Sequence, residues 1–365
     1  MSPPNPQIEQ LAALASEVGL VLRAILPAQR LSDEVLQRLD QWFENGKHGG
    51  MEYLPNARSV MADPRDWKAW TRSMALFALP YHRPADAFRD GGRVARYAIG
   101  RDYHNLFGKK LERLGKRLRA AGMVNQFRAC TDAAPVLERE YAILGGVGWR
   151  GKNTLVLDPA DGPWVLLGEL LIDVELPEFI AQRQSQQESG EESEDRSRRW
   201  ASCGSCTACI DVCPTGALEA EFKLDSRKCI SYLTIEHRGP IDEELRPQMG
   251  EWGFGCDLCS EVCPFGHHAD NHADAWGRKD AFDEFRLEDL LTLNEEEFRS
   301  AFAGSPVRRA GLQGLKRNAS VVLGNLGRGR EELEQMLKSE TDPLVCEHAR
   351  WALDQDGNQA ASRKS

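Results

Sequence analysis

The sequence predicts a multi-domain chain of the α+β or α/β class. A mixed strand–helix domain spans residues 1–180, a cysteine-rich module spans 200–270, and helical repeats fill 271–365. Three observations carry this reading. Runs of strand and helix period interleave over the first domain. Eight of the ten cysteines fall between Cys203 and Cys263. Residues 287–355 keep a helical period, broken only by Gly and Asp-Pro.

Residues 8–26 have the spacing of an amphipathic helix, and residues 33–44 that of a second. Met74–Pro80 (MALFALP) is a strand-like run. Tyr103–Ala121 predicts a long basic amphipathic helix with Leu106, Phe107, Leu111, Leu114 and Leu118 near helical spacing. Asp102 would be its N-cap and Gly122 would close it. Val124–Cys130 reads as a short strand, and Pro135–Leu144 as a helix with Pro in its first turn. Thr154–Asp158 and Trp164–Asp173 flank Pro159-Ala160-Asp161-Gly162, which predicts a hairpin. Residues 181–199 (AQRQSQQESGEESEDRSRR) lack apolar periodicity and read as a polar linker. In the tail, Pro306–Leu326 and Pro343–Leu353 repeat a small-apolar pattern, the mark of HEAT-like repeats docked as a cap.

The cysteines decide the chemistry. The first run is Cys203-x2-Cys206-x2-Cys209-x3-Cys213-Pro214; the second is Cys256-x2-Cys259-x3-Cys263-Pro264, with Cys229 between them. This is the pattern of a bacterial ferredoxin carrying two [4Fe–4S] clusters, in which the fourth cysteine of a run ligates the other cluster. Cys203, Cys206, Cys209 and Cys263 are therefore assigned to one cluster, and Cys213, Cys229, Cys256 and Cys259 to the other. Zinc ribbons rarely reach this density, and disulfides would need an oxidising compartment. Cys130 and Cys346 read as buried small hydrophobes.

The chain has 365 residues, a formal net charge of −10 and a mean hydropathy of −0.48. It has no apolar stretch long enough for a membrane span. The N-terminal MSPPNPQIEQ carries neither an apolar signal region nor a twin-arginine leader, so a cytoplasmic location is expected. The acidic balance disfavours indiscriminate nucleic-acid binding but allows a local basic face. No phosphate-binding Rossmann or P-loop pattern is present, and Gly145-Gly146-Val147-Gly148 follows a helix, which favours plain turn geometry. Asp102-Tyr103-His104 opens like the cobalamin motif D-x-H-x-x-G, but the glycine position is Phe107, so a lower-ligand role for His104 is not expected.

Taken together, Arg96-Tyr97-Ala98-x2-Arg101-Asp102-Tyr103-His104, Asp132-x2-Pro135-Val136-Leu137-Glu138-Arg139 and Gly146-x-Gly148-Trp149-x-Gly151-Lys152-Asn153 resemble the epoxyqueuosine reductase family. CGSCTACIDVCPTGAL at 203–218, CISYLTIEHRGPI at 229–241 and GCDLCSEVCPFG at 255–266 extend the resemblance. It implies reduction of the epoxide of epoxyqueuosine, at the wobble position of tRNA, to queuosine. Electrons from an external low-potential donor would pass through the clusters to a base-off cobalamin held in the first domain. The resemblance also implies Asp132 as proton donor, with Asp102, Tyr103 and His104 in the same pocket. Cobalamin contacts are expected at Arg58, Asp132, Val156, Leu167 and Ser231. For tRNA, His237 and Arg238 come by resemblance. Arg308, Arg309, Lys316 and Arg317 on the tail, and Lys109, Lys110, Arg113, Lys116, Arg117 and Arg119 on the long helix, offer local positive charge. A monomer is expected. The rival readings are another corrinoid and iron–sulfur enzyme such as a reductive dehalogenase, and a non-enzymatic electron carrier.

Overall fold

A computed structural model of the chain describes residues 5–85, 87–89, 91–181 and 202–362. Apart from Ala181, the polar stretch 181–199 lies outside those residues, as does the expected start of the cysteine-rich module at Trp200.

The N-terminal part is built on a five-stranded sheet, in the order Phe127–Cys130, Val165–Ile172, Ser73–Pro80, Leu22–Pro27, Phe179–Ile180. Every neighbouring pair is antiparallel. Of the two classes predicted, α+β is therefore the one observed. Helices cover both faces. On one, Pro6–Glu17 and Tyr103–Ala120 bury Leu11, Leu111 and Leu118 against Ile25, Phe77 and Leu170. On the other, Leu36 of the Asp33–Glu44 helix and Tyr141 of the Glu138–Leu144 helix pack against Leu26, Leu76 and Leu171. Alternation along Val165–Ile172 puts Val165, Leu167, Glu169 and Leu171 on this second face.

Three expected elements are corrected. The helix over 8–26 ends at Glu17, because Gly19 takes a φ of 69° and the amide of Leu20 returns to the carbonyl of Ala15. Leu22–Pro27 is instead a core strand. Its apolar run, covered on both faces, looks in sequence like more helix. The strands around Pro159–Gly162 do not form a hairpin. Val156–Leu157 pairs with Trp149–Arg150, and both edges of Val165–Ile172 are already taken. The helix expected from Pro135 begins at Glu138, leaving residues 131–137 as turns.

In the cysteine-rich part the short helices Ala208–Asp211 and Leu258–Glu261 pack against each other, each inside a C-x2-C run. This part interdigitates with the sheet domain. Trp42 Nε1 donates to the carbonyl of Leu224 (2.8 Å), the Tyr232 hydroxyl accepts from the amide of Gly50 (2.6 Å), and Lys152 Nζ donates to the carbonyl of Gly204 (2.8 Å). The tail is helical. Gly311–Leu326 packs against Pro343–Ser362 and against the strand Trp252–Phe254. Cys130 and Cys346 are both buried. Among the described residues no helix is long and apolar enough to cross a membrane.

Candidate active site

Two hollows meet where the sheet domain, the cysteine-rich part and the tail converge. An inner cavity of about 390 Å³ and an outer cleft of about 1200 Å³ share Tyr97, Tyr103, Asp132, Cys229 and Ser231 as a common wall. The inner cavity is lined at once by Asp132, by Val156, Leu167 and Ser231, and by Cys213, Cys229, Cys256 and Cys259. These four cysteines are the set the spacing assigned to one cluster. The other set groups as well. Burial pushes the Cys263 thiol up to about 11, and the nearby thiols of Cys203, Cys209 and Cys206 add to the rise. Burial raises Cys259 too, with Cys229 among its charged neighbours. No cysteine is in a disulfide. Eight thiols in two such groups are a donor set suited to two [4Fe–4S] clusters.

Asp132 stands in the turns between the Phe127–Cys130 strand and the Glu138–Leu144 helix. It is not that helix's N-cap, a position held by Leu137. Its carboxylate is engaged by the other wall. The Tyr103 hydroxyl donates to Oδ2, and His104 Nε2 lies 2.8 Å from Oδ1. His104 Nδ1 lies 2.8 Å from Asp102 Oδ1, and Asp102 also caps the Tyr103–Ala120 helix by accepting the His104 amide at 2.9 Å. The Tyr103 and His104 rings stack with centroids 4.1 Å apart. Hydrogen bonds donated by the ring to the two carboxylates, Asp102 first, hold the imidazole up to about 10, so His104 is a cation at neutral pH. Burial raises Tyr103, which stays a neutral donor.

A flat macrocycle such as a corrin requires an apolar floor and room beside a reducing centre. Val156, Leu166, Leu167 and Tyr97 provide the floor, and no imidazole is among the residues lining the inner cavity. The residues lining this cavity would suit such a group. Arg58 is placed differently: its guanidinium grips Asp40 (2.5 and 2.9 Å), while its neighbours Ala57 and Met61 line the outer cleft.

The residues expected at tRNA divide. Arg308 and Arg309 line the outer cleft, Arg309 in a bidentate pair with Glu236 (2.8 and 2.9 Å). The Arg238 guanidinium donates to the carbonyls of Ile235, Arg309 and Ala310, and His237 is tied to the carbonyl of Pro240. Arg317 is 1% exposed and donates to the carbonyls of Leu233, His237 and Gly239, so it builds the 233–239 segment and offers no charge to a phosphate. Lys316 is paired with Glu340 at 2.9 Å. For Arg317 the reading of the charge run is corrected.

Sequence reasoning named no role for four residues here. Tyr97 lines both hollows. Asp257, between two cluster cysteines, caps the amide of Arg96 at 2.8 Å, and burial pushes it up to about 6. Glu138 lines the inner cavity, and burial raises its carboxyl. Glu169 is 1% exposed, with Oε2 lacking a hydrogen-bond partner. The signal for Glu169 was a lone charge in the run VLLGELLI; the others sat in quoted motifs without a role.

Comparison with known proteins fits this geometry. A family model described as "Epoxyqueuosine reductase QueG, DUF1730" matches residues 62–133, a span holding Asp102, His104 and Asp132. A model described as "4Fe-4S double cluster binding domain" matches residues 202–266, which hold all eight clustered cysteines. An epoxyqueuosine reductase of Pseudomonas aeruginosa is 37% identical, over 98% of this chain and 97% of its own length. This chain belongs to the epoxyqueuosine reductase family. The epoxyqueuosine reductase of Escherichia coli K12 is 34% identical, over 87% of this chain and 82% of its own. In fold, the chain resembles an epoxyqueuosine reductase crystallised with an epoxyqueuosine-modified stem loop of tyrosine tRNA. The TM-score is 0.80 at 24% identity, covering 98% of this chain and 92% of that one.

Proposed function

We propose that this chain reduces the epoxide of epoxyqueuosine at the tRNA wobble position to the cyclopentene of queuosine. Two [4Fe–4S] clusters held by the two cysteine sets would carry electrons from an external low-potential donor, and a cobalamin in the inner cavity, against Val156, Leu167 and Ser231, would receive them. The observation that carries the reading is the inner cavity, whose wall joins the thiols of Cys213, Cys229, Cys256 and Cys259 to the carboxylate of Asp132. One-electron carriers and a proton-handling group thus face one space.

Overall the reaction takes two electrons and two protons and releases water. When bound, cobalamin supplies strongly reducing cobalt chemistry at the epoxide carbon; the protein residues handle protons and position. Asp132 is hydrogen-bonded at both oxygens, accepting from Tyr103 at one and from His104 at the other. The proton to be delivered therefore resides on His104, which Asp102 holds in orientation. Asp132, in contact with His104 and half-exposed to the cleft, relays this proton to the epoxide oxygen, and solvent supplies the second proton that releases the oxygen as water. Tyr103 fixes the other carboxylate oxygen, so Asp132 presents one edge to the substrate.

The paired tail helices are read as a HEAT-like cap, with Arg308, Arg309 and Arg238 facing the incoming anticodon loop. The protein acts as a cytoplasmic monomer. The test is anaerobic: reconstituted clusters, cobalamin, a low-potential reductant and tRNA bearing epoxyqueuosine, with the loss of one oxygen followed by nucleoside mass spectrometry. Cobalamin-dependent conversion is expected. No conversion with clusters and cobalamin both bound would favour the dehalogenase-like reading, and failure of cobalamin to bind would favour the electron carrier.

A further inference from the structure

Beside the outer cleft lies a second pocket, of about 530 Å³, into which five cations converge: Arg101, Lys109, Lys110, Arg113 and Lys279. They come from three places in the chain. Arg101 precedes the long helix, Lys109, Lys110 and Arg113 lie within its first eleven residues, and Lys279 comes from the early part of the tail. The pocket shares Asp102, Asn105 and Gly304 with the outer cleft, so the two adjoin along the start of that helix.

A run of basic residues on a helix is ordinarily a solvated face with local carboxylate partners. That describes the far half of this helix. Lys116 is 3.6 Å from Glu112, Arg117 pairs with Glu17, and Arg119 covers the ring of Phe127. The near half is different. Among the described residues none of the five pocket cations makes an ion pair. Two reach backbone carbonyls instead: Lys110 Nζ that of Gly19 at 3.0 Å, and Lys279 Nζ that of Ala303 at 2.5 Å. The one carboxylate in the lining, Asp102, is already engaged by His104. Five uncompensated charges in one concavity repel each other, on a chain whose net charge is −10. Such an arrangement is stable when an external anion completes it. A single phosphate would leave most of a hollow this large empty, whereas a stretch of nucleic-acid backbone fills it and meets several cations at once.

We propose that this pocket holds backbone phosphates of the RNA beside the modified nucleotide, a second anchor in addition to Arg308 and Arg309. The proposal rests on the RNA substrate assigned above. Its placement has a mechanistic use. Asp102 lies in the wall of the pocket and, through His104, is linked to Asp132, so phosphates seated here hold the flanking nucleotide next to the proton-carrying side chains.

The test uses the reconstituted holoenzyme and reads RNA affinity, not turnover. A stem–loop is titrated by fluorescence anisotropy at several salt concentrations, with the triple variant K109A/K110A/R113A beside the unaltered protein. Affinity is expected to fall at least about tenfold at fixed salt, and the slope of log affinity against log salt to drop by about two. Lys116→Ala, on the same helix but paired, is expected to leave both unchanged. A charge-keeping variant, K109R/K110R/R113K, should restore binding, which separates lost charge from lost folding. Unchanged affinity and slope in the triple variant would overturn the proposal. So would a triple variant that binds RNA normally but fails to take up cobalamin, because the pocket would then serve the phosphodiester of the cofactor. Should the unaltered protein bind RNA with this salt dependence yet fail to convert epoxyqueuosine, the reading of the reaction falls and the phosphate site stands.

Discussion

The Nε2 of His104 sits 2.8 Å from Oδ1 of Asp132, and this contact ties the imidazole to the carboxylate that faces both hollows. The Tyr103 hydroxyl holds the other oxygen of Asp132, and the carboxylates of Asp102 and Asp132 raise His104 to about 10, so the imidazole carries a proton beside Asp132 at neutral pH.

This pairing predicts a pH profile. The His104 pKa is raised on folding, so its hydrogen bonds are complete below the ordinary histidine range and are lost as pH rises through about 10. Turnover is expected to fall over that alkaline limb. In His104→Gln it should drop on the order of a hundredfold at neutral pH and lose the limb. An unchanged profile in the variant would remove His104 from the proton path.

The division of the cysteines predicts two distinguishable losses. Cys203→Ser and Cys229→Ser should each cost about half of the bound iron, one cluster of two. The surviving electron paramagnetic resonance signal should differ between them, because only the Cys229 set lines the inner cavity. Identical residual signals would refute the assignment.

Arg317 and Arg308 should part company. Arg317→Met removes a buried cation together with three carbonyl contacts, and a loss of about 3 kcal/mol or more in unfolding free energy is expected. Arg308→Ala, at an exposed cleft residue, should leave the denaturant midpoint in place and weaken stem–loop binding.

Buried Glu169 predicts how stability itself varies with pH. Burial, and then the neighbouring carboxyls of Glu138 and Asp132, hold its carboxyl well above the usual range. A raised carboxyl favours the fold below the ordinary carboxylate range, and that contribution disappears as pH rises through the folded value. The melting temperature should therefore decline as pH rises above the ordinary carboxylate range more steeply than in Glu169→Gln, measured by scanning calorimetry. Parallel curves would show that the carboxyl does not titrate differently on folding.

Gly115 tests the support beneath the active turn. A Cβ there would lie 2.2 Å from the ring of Phe127, in the strand that leads to Asp132. Gly115→Ala is expected to cost about 1–3 kcal/mol in chemical denaturation.

The cysteine spacing made both cluster sets readable before any coordinates, because ligand geometry is written locally in C-x2-C runs. The Asp33–Glu44 and Tyr103–Ala120 helices were readable for the same reason: a local apolar period suffices, helped in the second by the cap at Asp102. The Leu22–Pro27 strand was not, since LVLRAIL is apolar on both sides and only the sheet decides its period. The false hairpin at Pro159–Gly162 shows the same limit: a turn signal is local, whereas pairing depends on which edges are already taken. Arg317 shows it for charge. A cation in a basic run looks like a ligand for phosphate until burial reveals that its partners are carbonyls.

The contacts that join the cysteine-rich part to the sheet domain have an evolutionary reading. Trp42 to Leu224, Gly50 to Tyr232 and Lys152 to Gly204 interlace the two, and a Cβ at Gly49 would lie 2.5 Å from the Tyr232 ring. A redox cassette bound so closely cannot be exchanged for another by simple gene fusion. Its history and that of the domain it serves are expected to run together, with substitutions at Gly49 or Tyr232 tolerated only in pairs.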